Sequence, residues 1–128
     1  MDQLLFSIFK TARPRQWVKN LALFTTILFS GQVYVPKMLI ATIWAFVAFC
    51  FLSSSNYLFN DILDAPKDRK HPFKKFRPVA SGKLSPRAAG IASLLFFLVG
   101  MFISYQLGPS FLILATIFIL LQYGYTLV

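Results

Sequence analysis

The chain has 128 residues, of which 57% are hydrophobic and 13% charged, and its four acids are all Asp. Soluble domains carry about 45–50% apolar and about 25% charged residues, so that class is excluded, and long apolar runs with 17% aromatics exclude disorder. What remains is a membrane protein of about one domain or less, expected from its span-length apolar stretches to be an all-α polytopic membrane bundle. In such a bundle a net charge of +9 points to membrane orientation and to phosphorylated or anionic-lipid partners rather than to nucleic acid.

Met1 to Lys19 carries Lys10, Arg13, Arg15 and Lys19. Its cations follow its apolar residues and no small-residue cleavage pattern appears, so it is not read as a cleaved signal peptide. Leu4, Leu5, Ile8, Phe9 and Ala12 recur at helical spacing and predict a short amphipathic helix along the membrane surface. Asn20 to Pro36 is uncharged, with Trp17 and Tyr34 placed as interfacial anchors, and forms a short first span. Met38 to Phe59 matches the ~20 residues that cross a bilayer and is the second. Cys50 within it permits no internal disulfide and is expected to pack. Ala88 to Val128 is uncharged and too long for one helix; the turn Leu107-Gly108-Pro109-Ser110 divides it into a third and a fourth span.

Of the 13 cations, all but Lys37 lie in residues 1–19 or in the 61–87 loop. An even number of crossings separates these two regions, and the positive-inside rule makes both cytoplasmic, in the inner or plasma membrane.

Asp61, Asp64 and Asp68 stand at the cytoplasmic end of the second span, beside Asn60. Spacings of three and four put the carboxylates on one helical face, where like charges repel unless a cation lies among them. Mg2+ is usually held by one or two carboxylates, waters and substrate phosphates, so the cluster reads as a Mg2+–diphosphate site. The plainer alternative pairs Asp64 and Asp68 with neighbouring Lys and Arg. Pro66 disfavours helix at Ala65 and predicts that Asp68 lies past a kink.

The segment from His71 to Gly82 is rich in cations and broken by two prolines and a Ser-Gly step, which brings cationic side chains and backbone N–H groups toward one ligand. Arg77, between Phe76 and Pro78, is the expected specific phosphate contact. His71, followed by Pro72, reads as a local hydrogen-bonding residue.

Asn60-Asp61-x-x-Asp64-x-x-x-Asp68 followed by Arg77-Pro78-x-Ala80-Ser81-Gly82 resembles the first aspartate-rich motif of the intramembrane UbiA-type prenyltransferase superfamily. His71-Pro72-x-Lys74-x-x-Arg77-Pro78 and Arg13-Pro14-Arg15-Gln16-Trp17-x-Lys19-Asn20 are similar to the branch that includes the decaprenyl-phosphate phosphoribosyltransferases. The resemblance implies a bundle of nine spans, of which about four are here, with Mg2+ as cofactor. It also implies transfer of a 5-phosphoribosyl group from phosphoribosyl pyrophosphate to a polyprenyl phosphate. Asn60, Asp61, Asp64 and Asp68 would hold Mg2+ and the donor pyrophosphate, the three acids being the catalytic carboxylates, and Lys19, Lys74 and Arg77 would contact phosphate. No acid follows Asp68, so the family's second acidic motif has no counterpart, and the chain is expected to be the first part of one such domain.

Two alternatives compete. One is prenyl transfer from a polyprenyl pyrophosphate to an aromatic or lipid acceptor. The other is a non-catalytic membrane protein whose basic loop binds anionic lipid or a partner subunit.

Overall fold

The computed structural model describes residues 2–127; Met1, at the head of the expected amino-terminal segment, and Val128, the last residue of the expected fourth span, lie outside them. Among the described residues the secondary structure is helical: α1 (Asp2–Ala12), α2 (Leu23–Phe29), α3 (Pro36–Asp68), α4 (Pro78–Ser81), α5 (Pro86–Leu107) and α6 (Pro109–Leu127), with 3-10 segments at Pro14–Ala22, Gln32–Tyr34 and Lys74–Phe76. Helices α3, α4, α5 and α6 each open on a proline, whose missing N–H would be unsatisfied in a first turn anyway and whose φ is already helical. Ser85 caps α5, its Oγ accepting the Ala88 N–H at 3.1 Å. Gly108 at φ 120 turns the chain into α6, so the third and fourth spans divide where the sequence predicts.

Helices α3, α5 and α6 are long and apolar enough to cross a bilayer. The protein is an integral membrane protein of helical architecture. The expected first span differs from expectation, because residues 20–36 do not form one membrane-length helix. Instead the chain from Arg13 to Phe24 runs antiparallel along α3. Arg13 stands against Asp61, Trp17 against Ser54, Asn20 against Cys50 and Phe24 against Phe46. A 3-10 helix rises about 2.0 Å per residue against about 1.5 Å in an α-helix. Nine residues in that form, Pro14–Ala22, therefore cover more of the bilayer's depth than an α-helix of the same length.

Helix α3 has 33 residues, about 50 Å at 1.5 Å per residue, and outruns a hydrocarbon core of about 30 Å. It continues through Pro66 to Asp68, so Asp68 stands in the last turn of the same helix, beyond the proline at which the sequence predicts a kink. Pro66 forfeits one hydrogen bond near the helix end, and Ala65, buried with Leu58, Val79 and Leu84 in the core under α4, holds the last turn in place.

Helix α5 packs antiparallel on α3 through small residues. Ser55 Oγ donates to the Ser93 carbonyl and Ser93 Oγ to the Ser55 carbonyl, each at 2.8 Å. At Gly100 an added Cβ would lie 2.8 Å from Leu52 Cγ, so glycine permits the close approach. Helix α6 runs parallel to α3: Phe49 meets the Phe111 and Phe118 rings edge-on, and Asn56 Nδ2 donates to Gln122 Oε1 at 3.1 Å. Helix α1 docks through Ser7 and Thr11 and leaves Leu4, Leu5, Phe6 and Phe9 exposed, so its apolar side points mostly outward.

Candidate functional site

At about 100° per residue, α3 separates the motif residues into two strips. Asn60, Asp64 and Lys67 lie on one, and Asp61 and Asp68 on the adjacent one. The first strip, continued by Ser53, Asn56 and Tyr57, lines a cavity of about 1260 Å³ between α3, the 3-10 segment Pro14–Ala22 and α6. Opposite stand Gln16, Lys19 and Asn20, and α6 contributes Gln122, Tyr125 and Thr126. Asp64, Lys67 and Lys19 are the charged residues of the lining, Asp64 and Lys67 near the end of α3 and Lys19 lower down, next to the Asn20–Cys50 contact, and the rest of the lining is uncharged but rich in hydrogen-bonding groups. Asn56 Oδ1 accepts the Thr126 hydroxyl at 3.2 Å, so amides and hydroxyls there form one connected set with Gln122.

Asp61 and Asp68 face away from this cavity. Asp61 is 2% exposed; Arg13 Nη2 donates to its Oδ1 at 2.7 Å, and Arg77 Nη1 stands 3.7 Å from the same oxygen. Arg77 Nη1 also donates to Asp68 Oδ2 at 3.1 Å. The four groups form a charge-neutral cluster that ties the α1 junction, α3 and the start of α4 together. Burial of carboxylates is tolerable only when they are paired and hydrogen-bonded, and no buried side-chain N or O among the described residues lacks a partner.

The acids therefore do not converge on one point. Among the described residues no group of three or more His, Cys, Asp or Glu side chains stands together as a ready metal cage. Asn60 and Asp64, four residues apart on the cavity strip, are nonetheless a donor set that suits Mg2+. The ion commonly takes one or two carboxylates and completes its shell with water and substrate phosphate. No hydrogen bond or ion pair engages Asp64 among the described residues, whereas guanidinium groups already occupy Asp61 and Asp68.

Of the expected phosphate contacts, Lys19 lines the cavity. Lys74 lies exposed on the Lys74–Phe76 turn and is not part of the cavity lining. Arg77 is held by the two carboxylates. His71 is the local hydrogen-bonding residue its sequence context predicts, its Nδ1 accepting the Phe73 and Lys74 N–H groups at 3.1 and 3.2 Å. Cys50 is buried and accepts the Asn20 amide at 3.6 Å.

Residues 21–128 match the UbiA prenyltransferase family. The chain belongs to that family. A decaprenyl-phosphate phosphoribosyltransferase of Corynebacterium glutamicum is 38% identical over 120 residues, covering 91% of this chain and 36% of that protein. One from Mycobacterium tuberculosis is 32% identical over 127 residues, 95% of this chain and 42% of that protein. A protoheme IX farnesyltransferase of Bdellovibrio bacteriovorus is 44% identical over 59 residues, 46% of this chain and 20% of that protein. The chain thus spans about two-fifths of the length of the phosphoribosyltransferases it matches.

Within this UbiA-family chain, sequence reasoning passed over Arg13, Gln16, Asn56, Lys67 and Gln122 as site residues. The Arg13-Pro14-Arg15-Gln16-Trp17 signature was visible. Its link to Asp61 spans 48 residues, and nothing in local spacing reveals such a pairing. Asn56 and Gln122 gave a usable signal, since amides inside apolar spans generally face a partner or a cavity rather than lipid.

Proposed function

We propose that this protein transfers a 5-phosphoribosyl group from phosphoribosyl pyrophosphate to the phosphate of a polyprenyl phosphate, on the cytoplasmic side of the inner or plasma membrane. The observation that carries the reading is the cavity wall. Asn56, Gln122 and Thr126, joined by hydrogen bonds, offer donors and acceptors to a hydroxylated ring and would be poor company for an isoprene chain. The phosphoribosyltransferases among its relatives support the same choice of donor. An apolar groove of about 450 Å³ lined by Phe59, Leu94, Phe97 and Ile119 suits the acceptor's polyprenyl tail, and Leu120 lines both it and the polar cavity.

In the reaction the bond from the ribose anomeric carbon to the pyrophosphate oxygen breaks, and a bond from that carbon to an acceptor phosphate oxygen forms. Lys67, one turn from Asp64 on α3, holds the pyrophosphate while negative charge builds on it, with Lys19 on the facing segment as a second phosphate contact lower in the cavity. Fixed cations aimed at developing charge lower such barriers. Asn56, Gln122 and Thr126 orient the ribose. Asn60 and Asp64 would hold Mg2+, which when bound neutralises the departing pyrophosphate. Asp61 and Asp68 on the strip behind, with Arg77 at the start of α4, keep the end of α3 in place, while Lys74 remains a phosphate contact only for a ligand that reaches the outer turn. No covalent nucleophile is required.

The test supplies phosphoribosyl pyrophosphate or a polyprenyl pyrophosphate, with polyprenyl phosphate, to membranes carrying the protein and follows pyrophosphate release. Release is expected from the sugar donor and to cease when Mg2+ is chelated. Asp64→Asn should cut it by about 10²–10³-fold, the value of one well-placed electrostatic group, with membrane insertion intact. Release from the prenyl donor alone would favour the farnesyltransferase-like alternative and refute this one.

A further inference from the structure

We propose that Arg13 is a positioning residue: moored to Asp61 and Tyr57, it sets the register of the 3-10 segment Pro14–Ala22 against α3 and so presents Gln16 and Lys19 to the cavity. Three observations lead there. Arg13 has φ +55 and is the one non-glycine with positive φ among the described residues. An L-residue persists in that conformation when surrounding contacts over-determine it. Those contacts come from a distant part of the chain, with Nη2 donating to Asp61 Oδ1 at 2.7 Å and the guanidinium lying 4.8 Å from the Tyr57 ring centre.

The third observation concerns the segment that Arg13 heads. Runs of 3-10 helix beyond about 3–4 residues are uncommon because their hydrogen bonds are poorly aligned, yet this one has nine residues. External ties must hold it. At three residues per turn, side chains three apart stack, which gives Trp17 and Asn20 one face and Gln16 and Lys19 the next. Trp17 Nε1 donates to Ser54 Oγ at 2.8 Å, and Asn20 donates to Cys50 Sγ lower down. Ser54 Oγ in turn donates to the Ala12 carbonyl at 2.9 Å, locking the residue before Arg13. Arg13 does not itself line the cavity, so it acts through the segment it anchors.

The kinetic part of this proposal rests on reading the cavity as the donor site; the structural part does not. The experiment therefore has two arms on the full chain in lipid nanodiscs, comparing wild type with Arg13→Ala and Arg13→Lys. Backbone hydrogen exchange should rise by about tenfold or more across residues 14–22 in Arg13→Ala, with α3 and α5 unchanged, and Arg13→Lys should recover most of the protection. KM for the diphosphate donor should rise by about tenfold in Arg13→Ala while kcat stays within about threefold, the signature of lost ground-state positioning. Unchanged exchange over 14–22, or a rise shared equally by α3 and α5, overturns the proposal. Lack of turnover in wild type with the sugar donor refutes the functional reading and leaves the exchange arm to decide this one.

Discussion

Arg77 serves two buried carboxylates at once, and its removal has a worked consequence. Its Nη1 stands 3.1 Å from Asp68 Oδ2 and 3.7 Å from Asp61 Oδ1, attractions of about 5 and about 4.5 kcal/mol at an effective dielectric of about 20. Much of that is cancelled by the cost of taking the guanidinium out of water, which Arg77→Met recovers. Asp61 keeps Arg13 after the substitution, but Asp68, 4% exposed at its side chain, is left without a cation. The expected loss of stability is ~3–5 kcal/mol, the usual penalty for orphaning a buried charge. Asp68→Asn alone leaves Arg77 with Asp61 and should cost ~1–2 kcal/mol. Because the orphan disappears in the double variant, Arg77→Met/Asp68→Asn should be more stable than Arg77→Met by ~2 kcal/mol. Equilibrium unfolding in mixed micelles titrated with SDS measures all three. A double variant as unstable as Arg77→Met, or less stable, would refute the claim that Asp68 depends on Arg77.

Packing predictions follow the same physics. Gly100→Ala places a Cβ 2.8 Å from Leu52 Cγ and 3.1 Å from the Ala48 carbonyl; with Leu52 fully buried, the substitution should destabilise by ~1–3 kcal/mol in the same assay. Ser55→Ala removes hydrogen bonds to the Ser93 carbonyl and the Tyr123 hydroxyl and should cost ~0.6–1.7 kcal/mol, the range for interhelical hydrogen bonds in membranes.

The apolar runs that became α3, α5 and α6 were legible because hydropathy and proline placement are local properties. The Gly108–Pro109 break, with its positive φ followed by a ready helix start, was legible for the same reason. The segment after Arg13 was not, since apolar content does not distinguish an α-helix from a 3-10 run whose form depends on ties to Ser54 and Cys50. Spacing predicts one face for the three acids, whereas in the structure Asp64 lies on the cavity strip and Asp61 and Asp68 on the adjacent one. What spacing lacks is the identity of the neighbours. Asp61 and Asp64 sit three residues apart, yet one meets two arginines and the other an open cavity. The continuation of α3 through Pro66 likewise depends on the burial of Ala65 under α4, which no local rule contains.

The length of α3 makes it a lever. Asp64 rides the same rod as the residues inside the lipid, 28 positions beyond its start at Pro36, so one degree of lean about that far end sweeps the carboxylate by about 0.7 Å. Bilayers of different thickness are accommodated by changes of lean. A thinner or thicker membrane is thereby transmitted to the spacing between Asp64 and the facing segment that carries Gln16 and Lys19, and lipid composition becomes a setting on the width of the cavity between them.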